Sequence, residues 1–188
     1  MVEEVRAVNT KLGWWDEPVR FKTAMTLLHS EVSEILEAWR RWEFVDKTAG
    51  AHWEWDQITG EYIEKLPKPE GFASEFADVL IRLLDDDPRF NLRLADFWGK
   101  VDYGFALWDA ELVPDNLDDM HNLISLASVT WQSEVGDDDG TQPWRKPLGD
   151  LVVMLVQQAN LYRVDLAAEY ERKLKYNGTR PYRHGKAV

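Results

Sequence analysis

Two pairs of acidic side chains stand three residues apart where apolar residues recur at helical spacing: Glu31 with Glu34, and Glu75 with Asp78. On a helix, residues three apart lie on neighbouring turns of one side, so each pair is a two-carboxylate claw. Two claws on facing helices would gather four oxygen-donor groups. Hard oxygen donors without thiolates or clustered histidines favour Mg²⁺ or Mn²⁺. Two ions roughly 3.5 to 4 Å apart suit attack of water on a phosphoryl group.

Glu31 carries most of the signal. On a helical wheel the apolar arc runs through Leu27, Ala38, Ala24, Ile35, Phe21, Trp39, Met25 and Leu36, and Glu31 lies inside it. A carboxylate facing a core costs several kcal/mol unless a cation or hydrogen bonds compensate. Glu34 sits at the arc's edge and Glu37 beyond it, so the Glu-x-x-Glu-x-x-Glu ladder runs from buried toward solvated surroundings. Taken by themselves, Glu75, Asp78, Arg82 and Asp85 read as a solvated polar stripe; the placement of Glu31 raises the two claws above that background.

Near the C-terminal end, Lys173 and Asn177 are four apart and therefore on one helix side, with Arg180 just beyond and Arg183, His184 and Lys186 following. Such a group could hold phosphate oxygens, or simply dress a helix end with cations that suit its dipole. His29 and His121 border apolar faces and read as core or edge histidines, with a ligand reading open for His29 because it neighbours Glu31. Trp14, Trp15 and Phe21 read either as staple and core residues or as walls of a pocket for a ring.

The elements that must position these groups are helical. Asp16, the candidate N-cap, and Pro18 open a long helix ending near Trp42. From Phe44 to Pro69 the periodicity fails around Gly50, Gly60, Pro67 and Pro69, which predicts a loop or lid with a small hairpin around Thr59-Gly60. A second helix runs from Phe72 to a stop at Pro88. Further helices are expected over Leu92 to Leu112, Asn116 to Glu134, Pro147 to Tyr162, and Asp165 to Asn177 with Gly178 as the stop. The predicted class is all-α, in one domain over 1–188. Met25–Glu37 aligns without gaps on Met120–Gln132, and the following helices match Asp78 with Asp150. In that register Glu31 meets Leu126, Glu34 meets Val129 and Glu75 meets Pro147. The halves 1–88 and 89–188 would then be a metal-binding half and a degenerate repeat, unless two amphipathic helix pairs merely resemble each other.

Composition narrows the classes. The chain has 188 residues, 45% of them hydrophobic, enough for a real core. It has no cysteine, which excludes disulfides, thiolate zinc sites and thiol nucleophiles. A net charge of -12 disfavours a nonspecific grip on nucleic acid or anionic lipid, while leaving room for an anionic small ligand where metal ions reverse the local sign. No apolar run approaches the roughly 20 residues that cross a bilayer. Glu3 and Glu4 ahead of Arg6 break the order of a secretion signal, so a cytoplasmic protein is expected.

The stretch Gly13 to Trp39 holds Trp15-Asp16-Glu17-Pro18 and then His29-Ser30-Glu31-Val32-Ser33-Glu34. Later come Lys68-Pro69-Glu70-Gly71-Phe72 leading into Glu75-Phe76-Ala77-Asp78-Val79, and Lys173-Leu174-Lys175-Tyr176-Asn177-Gly178-Thr179-Arg180-Pro181-Tyr182-Arg183-His184-Gly185-Lys186. These three blocks, in this order and over about half the chain, resemble the MazG-like members of the all-α nucleoside triphosphate pyrophosphatase superfamily. The resemblance implies a helical bundle with two or more Mg²⁺ ions, Mn²⁺ substituting, held by Glu31, Glu34, Glu75 and Asp78. It further implies cleavage of a nucleoside or deoxynucleoside triphosphate to the monophosphate and pyrophosphate by metal-activated water, with Lys173, Asn177 and Arg180 near the phosphates.

Glu34 or Glu37 is expected to accept the proton of that water. The base is expected against His29, Phe21 and the tryptophans near Trp14 and Trp15, with Asn9 or His29 as hydrogen-bonding partners. Relatives complete their core with a partner, so a homo-oligomer, in the first place a homodimer, is expected. The chain departs from the pattern at Ser30, where many relatives carry a further acid, and in its long loop between the claws; Asp87 to Lys146 has no firm match. Those departures keep open a catalytically inactive nucleotide-binding or assembly subunit. A ferritin-like carboxylate-bridged di-metal protein is the third alternative, but it requires Glu-x-x-His, and the nearest pattern is Asp118-x-x-His121.

Overall fold

The computed structural model describes residues 1–41, 43, 52–56, 61–98, 113–131 and 142–185. Seven α-helices among them form the body: α1 (Val2–Lys11), α2 (Phe21–Arg40), α3 (Phe72–Phe90), α4 (Ala95–Trp98), α5 (Val113–Thr130), α6 (Arg145–Leu161) and α7 (Leu166–Asn177). A short 3₁₀ turn, Tyr182–Gly185, follows. Between α2 and α3 the chain makes an antiparallel ribbon, β1 (His52–Asp56) with β2 (Glu61–Lys65), in the register His52↔Lys65 through Asp56↔Glu61. That ribbon flanks the expected Thr59-Gly60 turn, which itself lies outside the described residues.

α2 forms because Phe21, Ala24, Met25, Leu28, Val32, Ile35 and Ala38 recur every three or four residues, and all seven are buried. Its start corrects the expected cap. The helix begins at Phe21 behind an extended Arg20, without a side-chain cap, and the Asp16 carboxylate instead accepts the Tyr182 hydroxyl. α3 runs through Pro88 to Phe90 rather than stopping there. Pro88 deprives the Leu84 carbonyl of its helical donor, but in the last turn that break is local. Asn91 then ends the helix at φ 53, ψ 50, the left-handed geometry that asparagine tolerates.

The expected helix over Leu92 to Leu112 is present only as the four-residue α4; residues 99–112 lie outside the described set. α7 keeps its expected bounds within a residue because Asp165 caps it, accepting from the Ala168 N–H at 3.1 Å. α1 was not foreseen: Val2, Val5 and Val8 are too sparse to announce a helix, and Val5 is the residue it buries fully.

Packing places α2 against α3, α5 against α6, α2 against α5 and α3 against α6, so these four helices close a ring. Phe21 at the start of α2, Phe90 at the end of α3, Trp131 just after α5 and Trp144 just before α6 meet at one end of that ring. The helices therefore run alternately up and down. α1 and α7 add a layer on α3, which explains why α3 is buried on more than one side and why Asp85, expected on a solvated stripe, is inside together with its neighbour Asp86. α4 docks on α6 at Gly149, where an added Cβ would meet the Phe97 ring at 2.2 Å. No helix of the described residues is long and apolar enough to cross a membrane.

Candidate functional site

α2 presents Glu31 and Glu34 toward α3, which presents Glu75 and Asp78. Two lysines join them, Lys68 from the approach to α3 and Lys173 from α7. The electrostatics tie the group together. Burial pushes the Glu75 carboxyl up to about 7; Lys173 pulls against that shift while Asp78 and Glu34 add to it. Burial also raises Asp78, again against Lys173, with Glu31 adding to the shift. Glu34 is raised by burial and then by Glu31 and Asp78. Each acid is thus held by neighbours of its own sign in a partly dehydrated place.

Two cations answer this crowding. The Lys173 Nζ lies 2.6 Å from Asp78 Oδ2 and donates to the Pro69 carbonyl at 3.1 Å, with 3% of the residue exposed. The Arg82 Nη2 donates to Glu31 Oε1 at 2.8 Å, where the Glu31 side chain is 17% exposed. The remaining acids of the two claws are less well met, and Glu75 Oε2 is buried without a hydrogen-bond partner. Glu37 points elsewhere, to Arg41 at 3.2 Å and Arg40 at 3.7 Å on the exposed side of α2, so it does not share the site.

Among the described residues no three His, Asp or Glu side chains stand as a cluster that could hold a metal ion. The donor chemistry nevertheless fits one. Four carboxylates repel across the α2–α3 contact, and one buried oxygen is orphaned. Carboxylate oxygens of this kind are the hard donors that a divalent cation such as Mg²⁺ takes.

The residues expected around the base do not come together with the carboxylates; they belong to three other places. Phe21 is 4% exposed and stacks on Trp131 with centroids 4.0 Å apart, closing the bundle end as a core residue and not as a pocket wall. His29 turns from α2 to α5, its Nδ1 2.8 Å from Nδ1 of His121. Burial lowers both histidines, and the His121 charge lowers His29 further, so one neutral ring can donate to the other. Trp15 donates its Nε1 to Asp85 at 2.9 Å under the Arg89 guanidinium, 3.9 Å from the ring centroid. The Trp14 carbonyl accepts from Arg89 at 2.9 Å, and the Asn9 carbonyl accepts the Trp14 N–H.

Asn177 ends α7 one turn beyond Lys173. Arg180 follows, its N–H bonded to the Asn177 carbonyl. Arg183, read as part of a phosphate-facing tail, instead straps the chain end to residues 12–17: its N–H bonds the Leu12 carbonyl at 2.8 Å and its side chain reaches Gly13 and Glu17. Gly13, at φ 81, admits the Tyr182 ring where a Cβ would clash.

Two members of the charge cluster were not picked out from sequence as site residues. Arg82 was visible one turn beyond Asp78 on the same face, but its link to Glu31 crosses helices and leaves no local trace. Lys68 precedes a proline in a segment without periodicity. Comparison with family models, with curated proteins and with solved structures finds no match to this chain.

Proposed function

We propose that the chain hydrolyses a nucleoside or deoxynucleoside triphosphate between the α and β phosphates, releasing the monophosphate and pyrophosphate, with Mg²⁺ as cofactor. What supports this reading is that Glu31 and Glu34 on α2 and Glu75 and Asp78 on α3 are coupled electrostatically across the α2–α3 contact beside the buried Lys173, with one Glu75 oxygen buried and unpartnered. The order of the three sequence blocks that resemble MazG-like pyrophosphatases supports it independently. Held by these four carboxylates, two Mg²⁺ ions would balance their charge, draw charge from phosphoryl oxygens and make water more acidic.

The protein's own groups do the rest. Among the described residues no arginine or lysine is hydrogen-bonded to Glu34, which sits at the solvated edge of the pair, and this suits it to take a proton from water. Lys68 and the buried Lys173 bring positive charge to the acidic α2–α3 contact, where phosphate oxygens can be drawn. Arg82 fixes the Glu31 carboxylate through a charge-assisted hydrogen bond, so that this claw keeps one orientation.

The test is incubation of the purified chain with Mg²⁺ and a panel of ribo- and deoxynucleoside triphosphates, with products separated by anion exchange. Monophosphate and pyrophosphate in equal amounts are expected; orthophosphate would place the cleavage elsewhere. A second reading, a nucleotide-binding or assembly subunit without turnover, is favoured by one observation: Arg82 and Lys173 already compensate an acid in each claw. Tight triphosphate binding with no product under saturating Mg²⁺ would establish that reading instead.

A further inference from the structure

Lys173 is an unusual residue to find at 3% exposure, since a lysine loses its strong hydration when buried and needs a partner there. Its ammonium has two acceptors of different kinds. One is the Asp78 carboxylate, a charge; the other is the Pro69 carbonyl, a fixed dipole at the entry to α3. Asp78 belongs to the proposed metal site, so the lysine stands where a divalent cation must compete with it for the same oxygen. By Coulomb's law like charges sharing one carboxylate at this range oppose each other, and the opposition is strong where water is scarce.

A polyphosphate changes that balance. It offers Lys173 oxygen acceptors of the same charge-assisted type as Asp78. The flexible four-carbon stem lets the ammonium change acceptors while α7 stays packed on α3. Asp78, released, becomes a free donor. We infer that Lys173 is a resident cation that occupies the Asp78 claw until a nucleoside triphosphate draws it off, so that metal and substrate bind with positive coupling. The inference rests on the function proposed above and adds an order to it: the chain alone is a poor metal binder, and the nucleotide completes the site.

The experiment is a Mn²⁺ titration of the full chain followed by the electron paramagnetic resonance signal of unbound Mn²⁺. It is run with and without α,β-methylene analogues of the panel nucleotides and corrected with protein-free analogue. Wild type is expected to bind Mn²⁺ weakly alone and roughly tenfold more tightly with analogue, inside the 5–150-fold span usual for coupled sites. Lys173→Met, which keeps the stem, and Lys173→Gln, which keeps a donor, are both expected to bind Mn²⁺ more tightly than wild type without analogue and to lose most of the coupling. Circular dichroism confirms that each variant is folded.

Variants that bind no better than wild type overturn the role of Lys173, while the proposed hydrolysis stands if wild type still releases pyrophosphate. Absence of tightening by analogue in wild type overturns it too, whatever the variants do. Failure of wild type to take up Mn²⁺ under either condition overturns both the inference and the proposed function.

Discussion

In the sequence alignment that sets Met25–Glu37 against Met120–Gln132 and then pairs the helices that follow, Asp78 falls opposite Asp150, and each meets a lysine. The partner of Asp78 is Lys173, a buried residue from α7. The partner of Asp150 is Lys146, one turn earlier on the same helix and 79% exposed. The difference extends along the pairs. Where α2 carries Glu31 and Glu34, α5 carries Leu126 and Val129, which are 50% and 65% exposed. An acid on a solvated helix face needs no help from elsewhere in the fold. In the α2–α3 contact Arg82 meets Glu31 and Lys173 meets Asp78, because burial without compensation costs several kcal/mol. The two pairs share a packing scheme, but the electrostatic demand falls on the first, and the proposed chemistry goes with it.

If the first pair carries the activity, Asp78→Asn has the largest effect. It removes one charge and no volume, and pyrophosphate release should fall by at least about a thousandfold, beyond the roughly 10–100-fold lost when supporting groups around a metal are removed. Asp150→Asn should leave the rate within about twofold, as expected for a surface group away from special features. Steady-state rates on one substrate decide it. Equal losses at the two positions would mean that the second pair shares the site.

Phe21→Ala addresses what joins the pairs. Phe21 touches Phe90, Trp131 and Trp144, so its removal opens a cavity among all four ring helices. Denaturant unfolding should show a loss of about 3–5 kcal/mol, as for large aromatic truncations in cores, with nucleotide selectivity of the folded fraction unchanged. A small stability change with altered selectivity would return Phe21 to a base-binding role.

What the sequence disclosed divides along the same line. The seven apolar positions of α2 and those of α3 are set by local periodicity, so both helices were legible, as was the departure of Glu31 from that pattern. The span of α7, expected over Asp165 to Asn177, was legible too. The Asp16 cap was not: Tyr182, more than 160 residues away, competes for the carboxylate that local rules assign to the helix. Pro88 ended the helix on paper because propensity does not know that the last turn tolerates one missing bond. The burial of Asp85 and Asp86 depends on α1 and α7 covering α3, and His29 faces α5 because the ring closes that way. None of these long-range placements leaves a mark in residue spacing.

Asp86 offers a measure of how far burial, rather than function, loads the first pair. Burial pushes its carboxyl up to about 7, opposed by Arg82 and Arg89, and one of its oxygens has no partner. Glu75 is likewise raised to about 7. A carboxyl raised in the native state binds more protons there than in the unfolded chain. Its contribution is therefore complete below the unfolded value, near 4, and is lost as pH rises through 7. Metal-free stability should decline from pH 5 to pH 8. Asp86→Asn should recover between about 1 and 3 kcal/mol at pH 8, since each pKa unit corresponds to about 1.4 kcal/mol, and should flatten the decline. Chemical denaturation in EDTA at the two pH values measures this. A profile that rises with pH would show that Arg82 and Arg89 outweigh burial.

The smallest expected effect comes from the second pair. Lys146 and Asp150 lie four apart on α6 with both side chains well exposed, 79% and 41%. Water screens their attraction, and holding two long side chains together costs rotamer freedom, so exposed pairs of this kind contribute about 0.3–0.5 kcal/mol. A double-mutant cycle of Lys146→Ala and Asp150→Ala should give a coupling in that range, shrinking toward zero at 1 M salt, where the Debye length is about 3 Å. A coupling of several kcal/mol that survives salt would mean that Asp150 is held as Asp78 is, and the contrast between the two helix pairs would then lie in their acids alone and not in how the fold surrounds them.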